Sequence, residues 1–495
     1  MGRTLFIEPL NPPMKPTIVS VVLLLAPALA GAEPLSRAQA VARALEKNPD
    51  ILRSVADNDK LNGRAREARA DALPEVAVHG SFQRYVDPGF LNSPNIDQFP
   101  PELIQAFRPL PANLWGSSLS VRQTLWSFSL GKAIRAAGYA SQLGRENLER
   151  VRQDVALRAI LAYNAYLVAL ERVKVAETLV HQKEQQLEMA KNRRRNGVAT
   201  DVEVLRFEVD LANARTDLLR LQGAAELARG DLNAVMVRPT DTPIEPTDTL
   251  AFVDIAAEQP AVRGEAMAHR SELRAIGWNE KIYDEAIGIY KADMQPRLDF
   301  NGAFGWAVRL PENFLKDNYR AWAVSVSLKV PIFDGWRTAG RVAQAQADRA
   351  HVGQDRVALE TEIDVEAKQA VDRLRVARSV LQAAELNAVQ ARRAREMIEA
   401  NYKLGAATSL DVLDAQAASA QAEVNRVEAL FAHANARAGL RYVMGQDPLD
   451  EKAPPPSPPR PAAPSTSTDS LLEQAPVPAG TAPAQVTSGR DPKDS

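Results

Sequence analysis

The sequence predicts an exported α+β membrane protein built from two duplicated halves. Three observations carry this: an internal repeat offset by about 207–222 residues, heptad seams too long for a globular domain, and paired alternating segments of membrane-spanning length.

The amino terminus reads as an address. Lys15 precedes an apolar run from Ile18 to Leu29, which ends in Ala28, Leu29, Ala30, Gly31 and Ala32 before Glu33. A basic start, a short apolar stretch and a small-x-small exit make a secretory signal peptide. The run is shorter than the ~20 apolar residues a spanning helix needs. Residues 1–32 are therefore expected to be removed after Ala30 or Ala32, with Met14 as a natural start. No second long apolar segment follows, so the exported chain is either soluble or inserted as a β-barrel, the other fold that satisfies its backbone in lipid.

The duplication sets the domain plan: a first repeat over 33–245 and a second over 246–448. Pro74-Glu-Val-Ala-Val-His-Gly80-Ser-Phe82 aligns with Pro296-Arg-Leu-Asp-Phe-Asn-Gly302-Ala-Phe304, and Trp115–Trp126 with Trp322–Phe333. Gly197-Val-Ala-Thr200-Asp-Val-Glu203-Val-Leu205 aligns with Gly405-Ala-Ala-Thr408-Ser-Leu-Asp411-Val-Leu413.

Within each repeat the periodicity switches. Ile363, Ala367, Ala370, Leu374, Ala377, Leu381, Ala384, Ala388 and Ala391 recur at spacings of 4 and 3, as do Val155, Ala159, Ala162, Tyr166, Ala169, Val173, Ala176 and Val180. Helical text from about Ile134 to Asn196 would extend ~95 Å. Alternation marks strands at about 75–86 and 114–126, and again at about 297–309 and 321–332. Trp322, Val324, Val326, Leu328 and Val330 oppose Ala323, Ser325, Ser327 and Lys329, and Val76, Val78, Leu119, Val121 and Leu125 oppose His79, Ser118, Ser120 and Arg122. Such strands have the ~10-residue length that crosses an outer membrane, with Trp115, Trp126, Trp306 and Trp322 where an aromatic girdle sits. Two hairpins supply four strands and a transmembrane barrel needs about eight or more, so closure requires several chains. The segments Asp87–Asn113 and Leu310–Asn318 are the expected exterior loops. Residues 449–495, rich in Pro, Ala, Ser and Thr, are expected to form a disordered tail.

Composition narrows the function. Lys plus Arg is 60 and Asp plus Glu 62, a net charge of −2 that offers nothing to nucleic acid. Cysteine is absent and the five histidines stand apart, without metal-ligand spacing. No GxSxG, GxxxxGK[ST] or GxGxxG occurs, so no catalytic residue, cofactor or metal is expected and the chain does not read as an enzyme. An exported coiled-coil scaffold without a pore is the alternative, and it has no use for outward-facing apolar strands.

These residues resemble the TolC-like outer-membrane efflux protein family. The resemblance rests on the duplicated strand–helix units, the exit Ser327-Leu-Lys-Val-Pro331-Ile-Phe-Asp-Gly335 and the two Gly-x-x-Thr turns, and it covers about residues 35–448. Trp336 departs from the family, which usually has a second Gly there. The resemblance implies a homotrimer: a 12-strand barrel in outer-membrane lipid continued by a long α-helical coiled-coil barrel across the periplasm. It also implies a periplasmic adaptor and an inner-membrane transporter as partners, in a tripartite efflux pump or type I secretion system.

The resemblance further implies that the turns Gly197, Val198, Ala199, Thr200 and Gly405, Ala406, Ala407, Thr408 are periplasmic tips that dock the adaptor. It aligns Asp411 and Asp414 with paired acidic selectivity rings, Tyr402 with a gate tyrosine and Asp201 with a gate aspartate. The family's gate arginine is Ala407 here, and Arg193, Arg194 or Arg195 are candidates to replace it. Read from the residues alone, Thr200-x-x-Glu203 and Thr408-x-x-Asp411 are also capping boxes, so both acids have a structural role as an alternative.

Overall fold

The chain runs through the same series of elements twice. In the computed structural model the first pass comprises β1 (Glu33–Leu35), α1 (Arg37–Lys47), α2 (Pro49–Ala70), β2 (Glu75–Tyr85), α3 (Pro101–Ala106), β3 (Ala112–Ser127), α4 (Phe128–Arg195) and α5 (Asp201–Val235). The second comprises β4 (Ile244–Pro246), α6 (Gln259–His269), α7 (Ser271–Ala292), β5 (Arg297–Val308), β6 (Arg320–Lys329), α8 (Arg337–Lys403) and α9 (Ser409–Val443). The structure describes residues 33–449 apart from 87, 89–97 and 107–110. The expected signal segment, the tail from residue 450 and much of the first expected exterior loop lie outside these.

Equivalent helices match in length: 11 residues for α1 and α6, 22 for α2 and α7, 35 for α5 and α9, and 68 against 67 for α4 and α8. α4 and α8 each extend about 100 Å at 1.5 Å per residue. α4 begins at Phe128, ahead of the expected Ile134, because the chain passes from β3 into helix without an intervening loop. Its heptad seam is real packing: Val155, Ala159, Tyr166, Ala176 and Val180 are buried, as are Ile363, Ala367, Ala370, Leu374, Ala377, Leu381 and Ala388 on α8. The small alanines let α4 pack along α5 and α8 along α9. α4 also packs against α2, α7 and α9, which makes it the central helix of the chain.

Near the middle of the shafts, β1 and β4 pair in parallel. Two buried tyrosines of α4 hold them: Tyr163 donates its hydroxyl to Leu35 O at 2.8 Å and Tyr166 to Ile244 O at 3.0 Å. Burial pushes the Tyr163 phenol up to about 12, so it stays a donor at any physiological pH.

The four long strands form one antiparallel sheet in the order β2-β3-β5-β6. Its two hairpins keep the same register, Phe82 opposite Trp115 and Phe304 opposite Trp322. The register puts Val76, Val78, Phe82, Leu119, Val121, Phe300, Phe304, Trp322, Val324, Val326 and Leu328 on one face, with Trp322 75% exposed. The other face carries His79, Ser118, Ser120, Asn301, Ala303, Ala323 and Ser325. Two details differ from the alternation read in the sequence. A bulge between Thr124 and Trp126 puts Trp126, not Leu125, opposite Leu298 on the apolar face. β6 ends at Lys329, short of the expected 332, because Pro331 has no N–H to give the ladder. Among the described residues no helix is long and apolar enough to cross a membrane.

Candidate functional site

At the end of the shafts remote from the sheet, α4 turns into α5 and α8 into α9 by the same device. Gly197 and Gly405 take φ of 77° and 78°, in the left-handed region where a side chain is strained. Val198 N then bonds Arg193 O at 2.9 Å and Ala406 N bonds Asn401 O at 2.8 Å, closing each helix with a Schellman turn. Thr200 and Thr408 start the next helices, their hydroxyls accepting from the Glu203 and Asp411 amides at 3.3 Å in both cases.

There the two tips part. Asp411 completes its capping box: its Oδ2 accepts from Thr408 N and from Thr408 Oγ1, both at 2.7 Å. The Thr408 hydroxyl, and then its amide, hold the Asp411 carboxyl below the usual carboxylate range. Glu203 leaves its box open and instead accepts the hydroxyl proton of Tyr402. Of the two capping boxes read in the sequence, the structure forms one.

Tyr402 is the centre of this cluster, 4% exposed at the end of α8. Phe207 of α5 lies beside it with ring centroids 6.4 Å apart, in an apolar cluster with Leu187, Ala190, Val204, Leu211 and Val412. The Arg193 guanidinium stacks 4.5 Å from the Tyr402 ring centroid and donates to Tyr402 O at 2.8 Å. Burial, and then the Glu203 carboxylate that takes its hydrogen bond, push the Tyr402 phenol well above its usual range. The hydroxyl is thus a permanent donor, and the cluster ties α4, α5 and α8 together through one side chain.

The structure distributes the sequence-derived site residues as follows. Asp201 pairs with Arg194 on the surface and does not reach Tyr402. Asp414 is exposed one turn beyond Asp411 on α9. Val198, 63% exposed, and Ala406 stand out at the tips. Ala199 and Ala407, expected to be equally open, are half-buried, and Ala407 packs onto the cluster around Tyr402. Phe207 escaped the sequence reading, although its place in the series Val204, Phe207, Leu211, Ala214, at spacings of 3 and 4, marks an inward position. Among the described residues no group of three or more His, Asp or Glu is placed to hold a metal ion.

Comparison with known proteins follows the same lines. The family model described as outer membrane efflux protein matches residues 40–236 and 262–446. The chain is 24% identical over 351 residues to the alkaline protease secretion protein AprF of Pseudomonas aeruginosa, covering 68% of this chain and 70% of that one. It is 22% identical over 433 residues to the outer membrane protein TolC of Vibrio cholerae, covering 83% and 92%. Among solved structures, the outer membrane protein VceC of Vibrio cholerae superposes with a TM-score of 0.68 at 18% identity, covering 83% of this chain and 96% of that one.

Proposed function

Because this chain belongs to the outer membrane efflux protein family, and is an outer-membrane channel protein reaching into the periplasm and not an enzyme, we propose that it is the homotrimeric exit duct of a tripartite efflux pump or type I secretion system. Three chains close a 12-strand barrel in outer-membrane lipid and a helical tunnel below it. A periplasmic adaptor docks on the tips Gly197–Thr200 and Gly405–Thr408 and joins the duct to an inner-membrane transporter, which drives the export. The duct itself is passive.

The observation that carries this reading is a set of contacts made once where the duplication calls for two. β3 of the first repeat pairs with β5 of the second, but the duplicate seam, β6 with β2, is open within the chain. Along the shafts α4 packs against α9, whereas α8 meets α5 at the tip, through Tyr402 with Glu203 and Phe207, and makes no comparable packing above it. Val376, Val380 and Leu386 on α8 and Val209, Leu219 and Leu227 on α5 are left exposed. An edge in lipid leaves backbone groups unpaired at several kcal/mol each, so the seam must close against another copy. The sheet faces fit this use: the apolar one meets lipid and the small polar one lines the lumen.

In the resting duct, Tyr402, Glu203 and Arg193 hold the tip. Arg193 stands in for the arginine that Ala407 replaces. Asp411 and Asp414, repeated by symmetry, supply carboxylates to the entrance, the side-chain-ring form of a cation filter. Single-channel recording of the detergent-purified mature protein in planar bilayers tests the reading. Defined, cation-preferring openings that lose their preference in Asp411→Ala/Asp414→Ala support it. A protein that stays soluble without detergent and never conducts refutes the duct.

A further inference from the structure

Laying one tip over the other exposes a reversal of charge. Thr200 corresponds to Thr408 and Glu203 to Asp411, but one turn on, Arg206 corresponds to Asp414. The helices are in the same rotational phase there. Both start from a left-handed glycine and a threonine cap of equal length. In both, the residue after the position in question turns inward, as buried Phe207 and buried Ala415. Arg206 and Asp414 are both exposed, and among the described residues neither has an ion-pair partner within 4.0 Å.

We propose that Arg206 is a selectivity-determining residue that alternates with Asp414 around the entrance of the assembled duct. The inference rests on the duct reading above and sharpens it. Two repeats per chain give the tip of a trimer a pseudo-sixfold order, in which equivalent positions of α5 and α9 alternate at one level. At the level of Glu203 and Asp411 both repeats carry acids, yet one is engaged by Tyr402 and the other by Thr408. At the next level three aspartates alternate with three arginines. A guanidinium beside each carboxylate cancels most of its field within the ~8 Å Debye length of physiological salt. The duct is therefore less cation-selective than three unopposed acids would make it, and Arg206 and Asp414 pull its selectivity in opposite directions.

Reversal potentials of the full-length protein in planar bilayers under a KCl gradient test this. Arg206→Gln is expected to raise the K⁺ to Cl⁻ permeability ratio by about threefold or more, and Asp414→Asn to lower it. The double variant should lie near the wild type, and Arg206→Lys should keep the wild-type ratio. A ratio that falls with Asp414→Asn but is unmoved by both Arg206→Gln and Arg206→Glu overturns the proposal while leaving the duct intact. A wild-type protein that never conducts removes the duct and the proposal together. Co-migration of each variant with the wild-type oligomer on non-denaturing gels separates lost charge from lost folding.

Discussion

Glu203 and Asp411 occupy the same motif position in the two repeats and end in different roles. Asp411 caps its own helix, whereas Glu203 crosses to Tyr402. The difference follows from the neighbours: Tyr402, at the end of α8, comes within reach of Glu203 across the tip, while the corresponding residue at the end of α4 is Arg194, which pairs locally with Asp201. Local sequence shows the caps, but nothing local says which acid will be drawn away. Tyr402→Phe deletes a buried hydroxyl that donates to a carboxylate, a bond contributing about 1.5–3 kcal/mol. If that energy holds the tip shut, open probability in bilayers should rise about tenfold or more. An unchanged open probability would mean that the cluster is core packing and not a latch.

At the scale of elements, the heptad seams and the strands were legible because burial writes a period into the sequence, 3.5 residues for a shaft helix and 2 for a half-buried strand. What the period misses is the insertion of a residue or the loss of a donor. The bulge that trades Leu125 for Trp126 and the end of β6 ahead of Pro331 are both of that kind. The entry to α8 shows a third. Gly335 and Trp336 are both left-handed, with φ of 67° and 64°, and Trp336 is exposed, touching Phe333 edge-on at 6.3 Å. A bulky residue pays about 1–2 kcal/mol for that conformation. Trp336→Gly is expected to stabilise each chain by about 0.5–1 kcal/mol, after the greater entropy of Gly in the unfolded state is counted. The check is an upward shift in the thermal melting midpoint of the detergent-solubilised protein. A lower midpoint would mean that the indole makes contacts in the assembly worth more than the strain.

At the scale of the whole molecule, the internal repeat specifies how one copy meets the next. Within the chain, β3 and β5 set Ser120 opposite Ala303 and Leu119 opposite Phe304. Carried through the duplication, the open seam should set Ser327 opposite Ser81 of the neighbouring copy, and Val326 opposite Phe82. The native chain has no cysteine, so engineered pairs report cleanly. Ser81→Cys with Ser327→Cys is expected to give a covalent trimer under mild oxidation, resolved on denaturing gels without reductant. Ser81→Cys with Ser325→Cys, two residues out of register, should not. Cross-linking of the second pair alone would show a shifted seam, and of neither pair a different closure.

By itself the sequence determined the duplication, the long seams, the alternating strands and the two capped turns, because each is a pattern imposed by backbone geometry or by a single buried face. The tertiary structure decided which partners meet at a distance. It carried Glu203 away from its cap to Tyr402, brought Arg193 over that ring, folded Ala407 onto the tip core and left the β2 and β6 edges open. Those outcomes depend on which helices converge at the tip and on which contacts one chain can reach, and neither is written in any window of the sequence.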